Sequence, residues 1–199
     1  MSDETFKVIG ISGSLRVGSF NRLLLDNMLK MLPEWSEGQI LDLNGIPVFN
    51  QELEYEQPVE VKRLKQKVIK SDLIVLATPE YNHAMSGVLK NALDWLSRPP
   101  SDNPFLWKVV AVVSASTGNI GGARAQEDLR NVMASLGAIV VPRPEVILVN
   151  ADRKFNPGGE LTDQVTIKLI SDLLNNSIKL ALAVKRFSIE TLAITNGSR

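Results

Sequence analysis

Two rhythms of apolar residues alternate along this chain. Short continuous runs, centred on residues 6–11, 73–77 and 107–113, are separated by longer stretches in which apolar positions recur every three or four residues. A continuous β-branched run is what a parallel strand covered on both faces requires, and the wider spacing is that of an amphipathic helix. Residues 5–12 read as the first strand. Leu23, Leu24, Met28 and Leu32 then give a helix over about 19–32, which Pro33 stops. Residues 39–43 form a short second strand, and Asn44-Gly45 with Pro47 opens a long connection through Phe49, Asn50 and Tyr55. Pro58 starts the second helix, with Val61, Leu64 and Val68 inward and its Lys and Arg residues on a solvated face.

The third strand, Leu73 to Ala77, ends at Thr78-Pro79, where proline removes a donor and enforces an extended approach. Helix three starts near Ser86 or Gly87 and stops before Pro99-Pro100, with Lys90 and Asp94 outward. Residues 107–113 are the fourth strand. Helix four buries Ala125, Leu129, Val132, Met133 and Leu136, and Gly137 closes it. Ala138 to Val141 is the fifth strand; Pro142 and Pro144 interrupt a further run, Val146 to Val149, so this strand is either bulged or switches its pairing. Thr162 is the expected N-cap of a final helix from Gln164 to about Lys185, and residues 187–199 lack a stable pattern. The expectation is one α/β domain over residues 1–186, a doubly wound parallel sheet with helices on both faces, followed by a poorly ordered extension over 187–199.

In such a sheet the ligand lies beyond the carboxyl ends of the strands where the strand order reverses. The loops that follow strands one, three and four therefore become the candidate site. The first, through Ser12, Ser14, Arg16, Ser19, Phe20 and Asn21, is rich in small and hydroxyl residues and opens a helix, whose N-terminal N–H groups and positive dipole end suit a phosphate. Arg16 adds a planar fork for phosphate oxygens, and Asn21 is placed to hold the loop closed. The loop has neither a Walker A ending nor G-x-G-x-x-G. The second loop, Pro79 to His83, reads by itself as a rigid turn or a ligand edge; the third, with Ser116, Thr117 and Gly118, as a helix cap or a ligand contact.

Composition narrows the chemistry. The chain has 199 residues, 44% of them hydrophobic, enough for one core. Lys plus Arg and Asp plus Glu number 22 each, so no global field draws it to nucleic acid or to an anionic membrane, and any phosphate binding is local. Without cysteine it has no disulfide, thiolate metal site or cysteine nucleophile, and no metal cluster is expected. Redox chemistry would have to be borrowed from a cofactor. The N-terminus has no leader-like basic and apolar segments and no run reaches membrane-spanning length, which points to a cytoplasmic protein.

Gly13-Ser14-Leu15-Arg16 with Ser19 and Asn21, then Thr78-Pro79-Glu80-Tyr81-Asn82, resemble the NADPH-dependent FMN reductase family, which includes chromate, quinone and azo-dye reductases. Leu43 to Phe49, Gly87 to Trp95, Gly121 to Arg124 and Gly158 to Asp163 resemble family segments in the same order, over residues 5 to about 185. The resemblance implies a flavodoxin-like sheet of order 2-1-3-4-5, bound FMN, and NADPH or NADH as hydride donor. It further implies small-molecule acceptors (quinones, azo compounds, chromate or free flavin) and a homodimer or homotetramer. It places Pro79, Glu80, Tyr81 and Asn82 along the flavin ring edge, chiefly through backbone groups. His83, the only histidine, falls where the family varies and fits a solvent-facing role better than catalysis, so no catalytic side chain is expected. Arg124 and Glu145 are expected as a surface pair, and Trp35, Trp95 and Trp107 as packing residues. Two rivals remain: a flavodoxin-like electron carrier, which its neutral charge disfavours, and a flavin-binding redox sensor.

Overall fold

The computed structural model describes residues 5–196, with side chains from 5 to 187. Its centre is a parallel sheet of β1 (Phe6–Ser12), β2 (Ser36–Leu41), β3 (Leu73–Ala77), β6 (Val109–Ala115), β7 (Ile139–Val140) and β8 (Val146–Leu148). The order is β2-β1-β3-β6, with β7 and β8 both paired to β6. A two-stranded hairpin, β4 (Glu80–Tyr81) and β5 (Ala84–Met85), stands apart from the sheet. The second and fourth strands are shifted by about two residues from the sequence reading, because apolar flanks such as Leu43 and Trp107 carry no period that marks where pairing stops.

The doubled proline run resolves into one interrupted strand. Val110 pairs with Val140 and Val113 with Val146, so residues 141–145 bulge from the edge while both halves stay on β6. Proline at an edge strand loses no partner that a central strand would need.

Helices α1 (Phe20–Lys30), α2 (Val59–Ile69), α3 (Gly87–Leu96), α4 (Ala123–Ser135) and α5 (Gln164–Asn196) cover both faces. One core packs Leu24, Leu25 and Met28 of α1 and Ile170, Leu173 and Leu174 of α5 on Val8, Val75 and Ala111. The other packs Leu64 and Val68 of α2 with Leu89 and Leu93 of α3 on Ile9, Ile74 and Val110. Alternate residues of each strand thus feed opposite cores, as expected of a sheet buried on both faces.

Several local expectations change. Lys65 is not on a solvated face: it is buried, pairs with Asp102 at 2.8 Å and donates to the Arg98 carbonyl at 2.7 Å, because the connection after α3 folds over α2. Asp163, not Thr162, caps α5 by accepting from the Thr166 N–H at 3.0 Å; the Thr162 hydroxyl is turned to the Lys154 carbonyl at 3.1 Å. The last helix runs to Asn196, past the expected end near Lys185. The expectation of an extension over 187–199 thus meets helix as far as Asn196, and the side chains after 187 and residues 197–199 lie outside the described residues. No helix of the described residues is long and apolar enough to cross a membrane. Trp95 is fully buried and donates its indole N–H to the Pro47 carbonyl at 2.8 Å, whereas Trp35 and Trp107 are largely exposed, Trp35 resting edge-on against Phe6.

Candidate functional site

At the carboxyl edge of the sheet the loops after β1, β3 and β6 are locked to one another. The Gly13 N–H donates to the Ala77 carbonyl at 2.8 Å, and the Ser86 hydroxyl, which also caps α3, donates to the Gly13 carbonyl at 2.6 Å. A Cβ on Gly13 would lie 2.7 Å from the Ser86 Oγ and 3.1 Å from the Leu89 Cβ, so only glycine lets the loops close this tightly. Asn21 makes a two-way clamp: its amide donates to the Ala115 carbonyl and its oxygen accepts from the Ala115 N–H, both at 2.9 Å. The expected loop-closing role of Asn21 is therefore real, and the same bonds occupy its buried side chain.

The first loop is shaped by its own hydroxyls. Ser12 Oγ accepts from the Ser14 N–H and Ser14 Oγ from the Arg16 N–H, while Ser19 caps α1 by accepting from the Arg22 N–H at 3.2 Å. Arg16 folds back, donating to the Gly18 carbonyl at 2.7 Å with its guanidinium 5.8 Å from the Phe20 ring centre, and Phe20 in turn stacks on Phe155. The backbone N–H groups of Leu15, Val17, Gly18, Phe20 and Asn21 have no acceptor among the described residues. The first turn of α1 carries no acidic side chain to neutralise its positive end. Open donors, a guanidinium and a helix N-terminus on one loop have the chemistry that suits a doubly charged oxyanion.

The second loop is built differently. Asn82 and His83, at φ 51° and 66°, form the two-residue turn of the β4–β5 hairpin, a left-handed geometry that asparagine tolerates well. Glu80 does not offer its carboxylate to the loop's open side. It turns to the N-terminus of α4 and accepts from the N–H groups of Arg124 at 3.1 Å and Ala125 at 3.4 Å. Gly122 leaves that helix without a side-chain cap of its own, and Glu80 supplies it. Arg124 consequently pairs with Glu80 at 3.5 Å, not with Glu145, whose partner is Arg143 at 3.7 Å. On the other strand of the hairpin, the Met85 N–H donates to Asp128 of α4 at 3.0 Å. Pro79 is half-buried while Tyr81, Asn82 and His83 remain exposed at the rim.

In the third loop the Ser116 Oγ accepts from the Gly118 N–H at 3.1 Å, and the Ser116 backbone bonds to Leu148 and Ala151, so Thr117 and Gly118 stand exposed on a fixed base. Gly121 and Gly122, both with positive φ, let the chain pass so close to Ile147 and Ser114 that a Cβ would lie 2.5 and 2.7 Å from them. All three candidate loops thus converge on one edge.

Three contributors escaped the sequence reading: Ser86 as the joint between loops, Asp128 as the anchor of the hairpin, and Gln126, buried and donating to Ser114 and to the Val146 carbonyl. Gln126 and Asp128 stand among the apolar positions of α4, and polar residues there are the one signal that could have exposed them.

Comparison with known proteins agrees with this geometry. The model of the NADPH-dependent FMN reductase family matches residues 6–153. An NAD(P)H-dependent FMN reductase of Pseudomonas aeruginosa is 41% identical over 175 residues, covering 87% of this chain and 94% of that protein. A quinone reductase of Escherichia coli is 38% identical, covering 82% and 89%. The structure of FerB, a flavoenzyme NAD(P)H:acceptor oxidoreductase from Paracoccus denitrificans, superimposes with a TM-score of 0.83 at 31% identity, over 90% of this chain and 98% of that one. With a flavodoxin-like sheet and these relatives, the chain belongs to the NADPH-dependent FMN reductase family, oxidoreductases that work with FMN and NAD(P)H.

Proposed function

We propose that the first loop holds the FMN phosphate and that the hairpin and third loop hold the ring, so that the protein reduces quinones and free flavin at the expense of NADPH or NADH. The observation that carries this reading is the set of open N–H donors between Leu15 and Asn21, on a loop clamped to the ends of β3 and β6. Those donors and Arg16 fit a phosphate dianion, and the exposed turn of Tyr81, Asn82 and His83 fits a planar ring edge. Bound FMN supplies hydride acceptance from the nicotinamide and electron delivery to the acceptor.

The residues contribute position. Ser12, Ser14 and Ser19 fix the loop, Phe20 backs Arg16, and Asn21 keeps the loop in register with β6. Glu80 holds the hairpin to α4, and its bonds there leave it unsuited to proton transfer at the ring. His83 stands at the rim, and turnover is assigned no obligatory ionisable side chain.

Assembly belongs to this proposal too. Phe49, on the long connection after β2, is half-buried: its ring packs edge-on against Trp95 at 5.0 Å, and its N–H donates to Asn91 at 2.8 Å. The connection folds back on its own subunit and presents Val48 and Tyr55, both more than three-quarters exposed. A second copy seated on these two residues would form a dimer.

The decisive experiment is steady-state oxidation of NADPH and NADH by the FMN-loaded protein with a benzoquinone acceptor. Sustained turnover is expected with at least one donor. Oxidation that stops after a single equivalent would favour an electron carrier or a sensor.

A further inference from the structure

At the opposite end of the sheet, where strands β1, β3 and β6 begin, the molecule has a second concentration of ligand-like features. A hollow of about 420 Å³ opens between the start of these strands and α5, within the size range of small-molecule sites. Its walls carry Lys7, Lys70, Lys108 and Lys185 beside Trp107. An adjoining hollow of about 460 Å³ shares Lys7 and Lys70 and adds Lys67. On a chain whose formal net charge is zero, this is a local accumulation of cations.

The acidic groups facing it are already engaged. Asp72 accepts from the Lys7 backbone N–H and from the Lys185 ammonium, both at 2.8 Å, and Glu37 lies 3.8 Å from the Lys7 ammonium. Lys70 has no carboxylate partner among the described residues and is exposed. The Lys108 ammonium donates to the Ile69 carbonyl at 3.2 Å and also to that of Ser71, which fixes it at the end of α2. Its burial lowers its pKa, a sign that it is partly withheld from water.

Trp107 adds the second element. It is 67% exposed, a large ring left in water. Its φ is 62°, a region in which a bulky L-residue is strained, and the Gly137 carbonyl holds its N–H at 2.9 Å. A flat aromatic face beside several ammonium groups offers stacking to a ring and charge to phosphate oxygens in one place. We propose that this hollow binds a nucleoside phosphate, with the base against Trp107 and the phosphates on Lys70 and its neighbours. The site is separate from the flavin edge and does not depend on the chemistry assigned there.

The test uses FMN-saturated protein, so that the flavin loop is filled, and isothermal titration with ATP and, separately, with inorganic phosphate. Saturable ATP binding is expected. Lys70→Glu should weaken it about tenfold through loss of a charge-assisted contact. Trp107→Gly removes the ring while suiting the positive φ, so this variant should fold at least as well as the parent. It should weaken ATP about tenfold, the scale of one base–aromatic stack, and leave phosphate binding unchanged. NAD(P)H oxidation with quinone should be the same in both variants. Absence of saturable ATP binding at millimolar concentration would overturn the proposal, as would equal ATP affinity in the parent and either variant.

Discussion

In the loop after β1, the backbone N–H groups of Leu15, Val17, Gly18, Phe20 and Asn21 find no acceptor among the described residues. In the loop after β3, by contrast, Thr78, Glu80 and Met85 are each tied to other elements. The first loop leaves donors open; the second has its shape imposed from α4. The two demands call for different residues. Open donors need small side chains and sharp turns, hence Gly13, Ser14 and Gly18, while an imposed shape needs long-range partners, hence Glu80 and Asp128. Substitutions should accordingly divide into those that alter phosphate affinity and those that alter the rigidity of the ring edge.

The largest expected effect breaks the base that both loops stand on. Asn21→Leu would leave the Ala115 N–H and carbonyl unpaired in a buried position, at a cost of about 3 kcal/mol for the two groups together. Urea unfolding should report this loss in the apoprotein, before any ligand is added. A fall of less than about 0.5 kcal/mol would mean that the clamp is replaceable, since that is the range of an ordinary surface substitution.

Glu80→Ala comes next and separates the loops. It removes the cap of α4, worth about 1 kcal/mol, and frees the hairpin. Acceptor turnover should decline while the affinity for FMN, anchored by its phosphate on the other loop, changes little. The opposite pattern, lost FMN affinity with intact kcat, would place Glu80 in direct contact with the cofactor.

Smaller still are the changes at the hairpin turn. Asn82→Gly suits the observed φ of 51° and should alter stability by only a few tenths of a kcal/mol. His83→Ala should keep most of the turnover, because no step is assigned to its imidazole. A drop in kcat of about a hundredfold or more, with FMN still bound, would instead identify a general acid or base.

Legibility in the sequence follows the same division. The strands that feed both cores, the five helices and the first loop are local patterns, and Phe6 to Asn21 already carries strand, hydroxyl-rich loop and helix in order. Gly137 announced itself through local cap chemistry. Glu80 did not: its partners, the Arg124 and Ala125 N–H groups, are more than forty positions away and become unpaired donors only because Gly122 cannot cap its own helix. Lys65 misled for a related reason, since a lysine on a helix reads as solvated until a distant proline-rich connection covers it. Pairing of β7 and β8 on one neighbour was undecidable from the prolines alone, because a bulge and a change of partner place the same residues in the chain.

The account rests above all on the claim that the first loop reads a phosphate. Titrating the apoprotein with FMN and with riboflavin, in the parent and in Arg16→Ala, tests it most directly. Riboflavin keeps the ring and lacks the phosphate. Removing the guanidinium should weaken FMN by about tenfold or more, at least ~1.4 kcal/mol, and leave riboflavin affinity nearly unchanged. Equal losses for the two ligands, or no loss for FMN, would contradict the assignment of the phosphate to this loop.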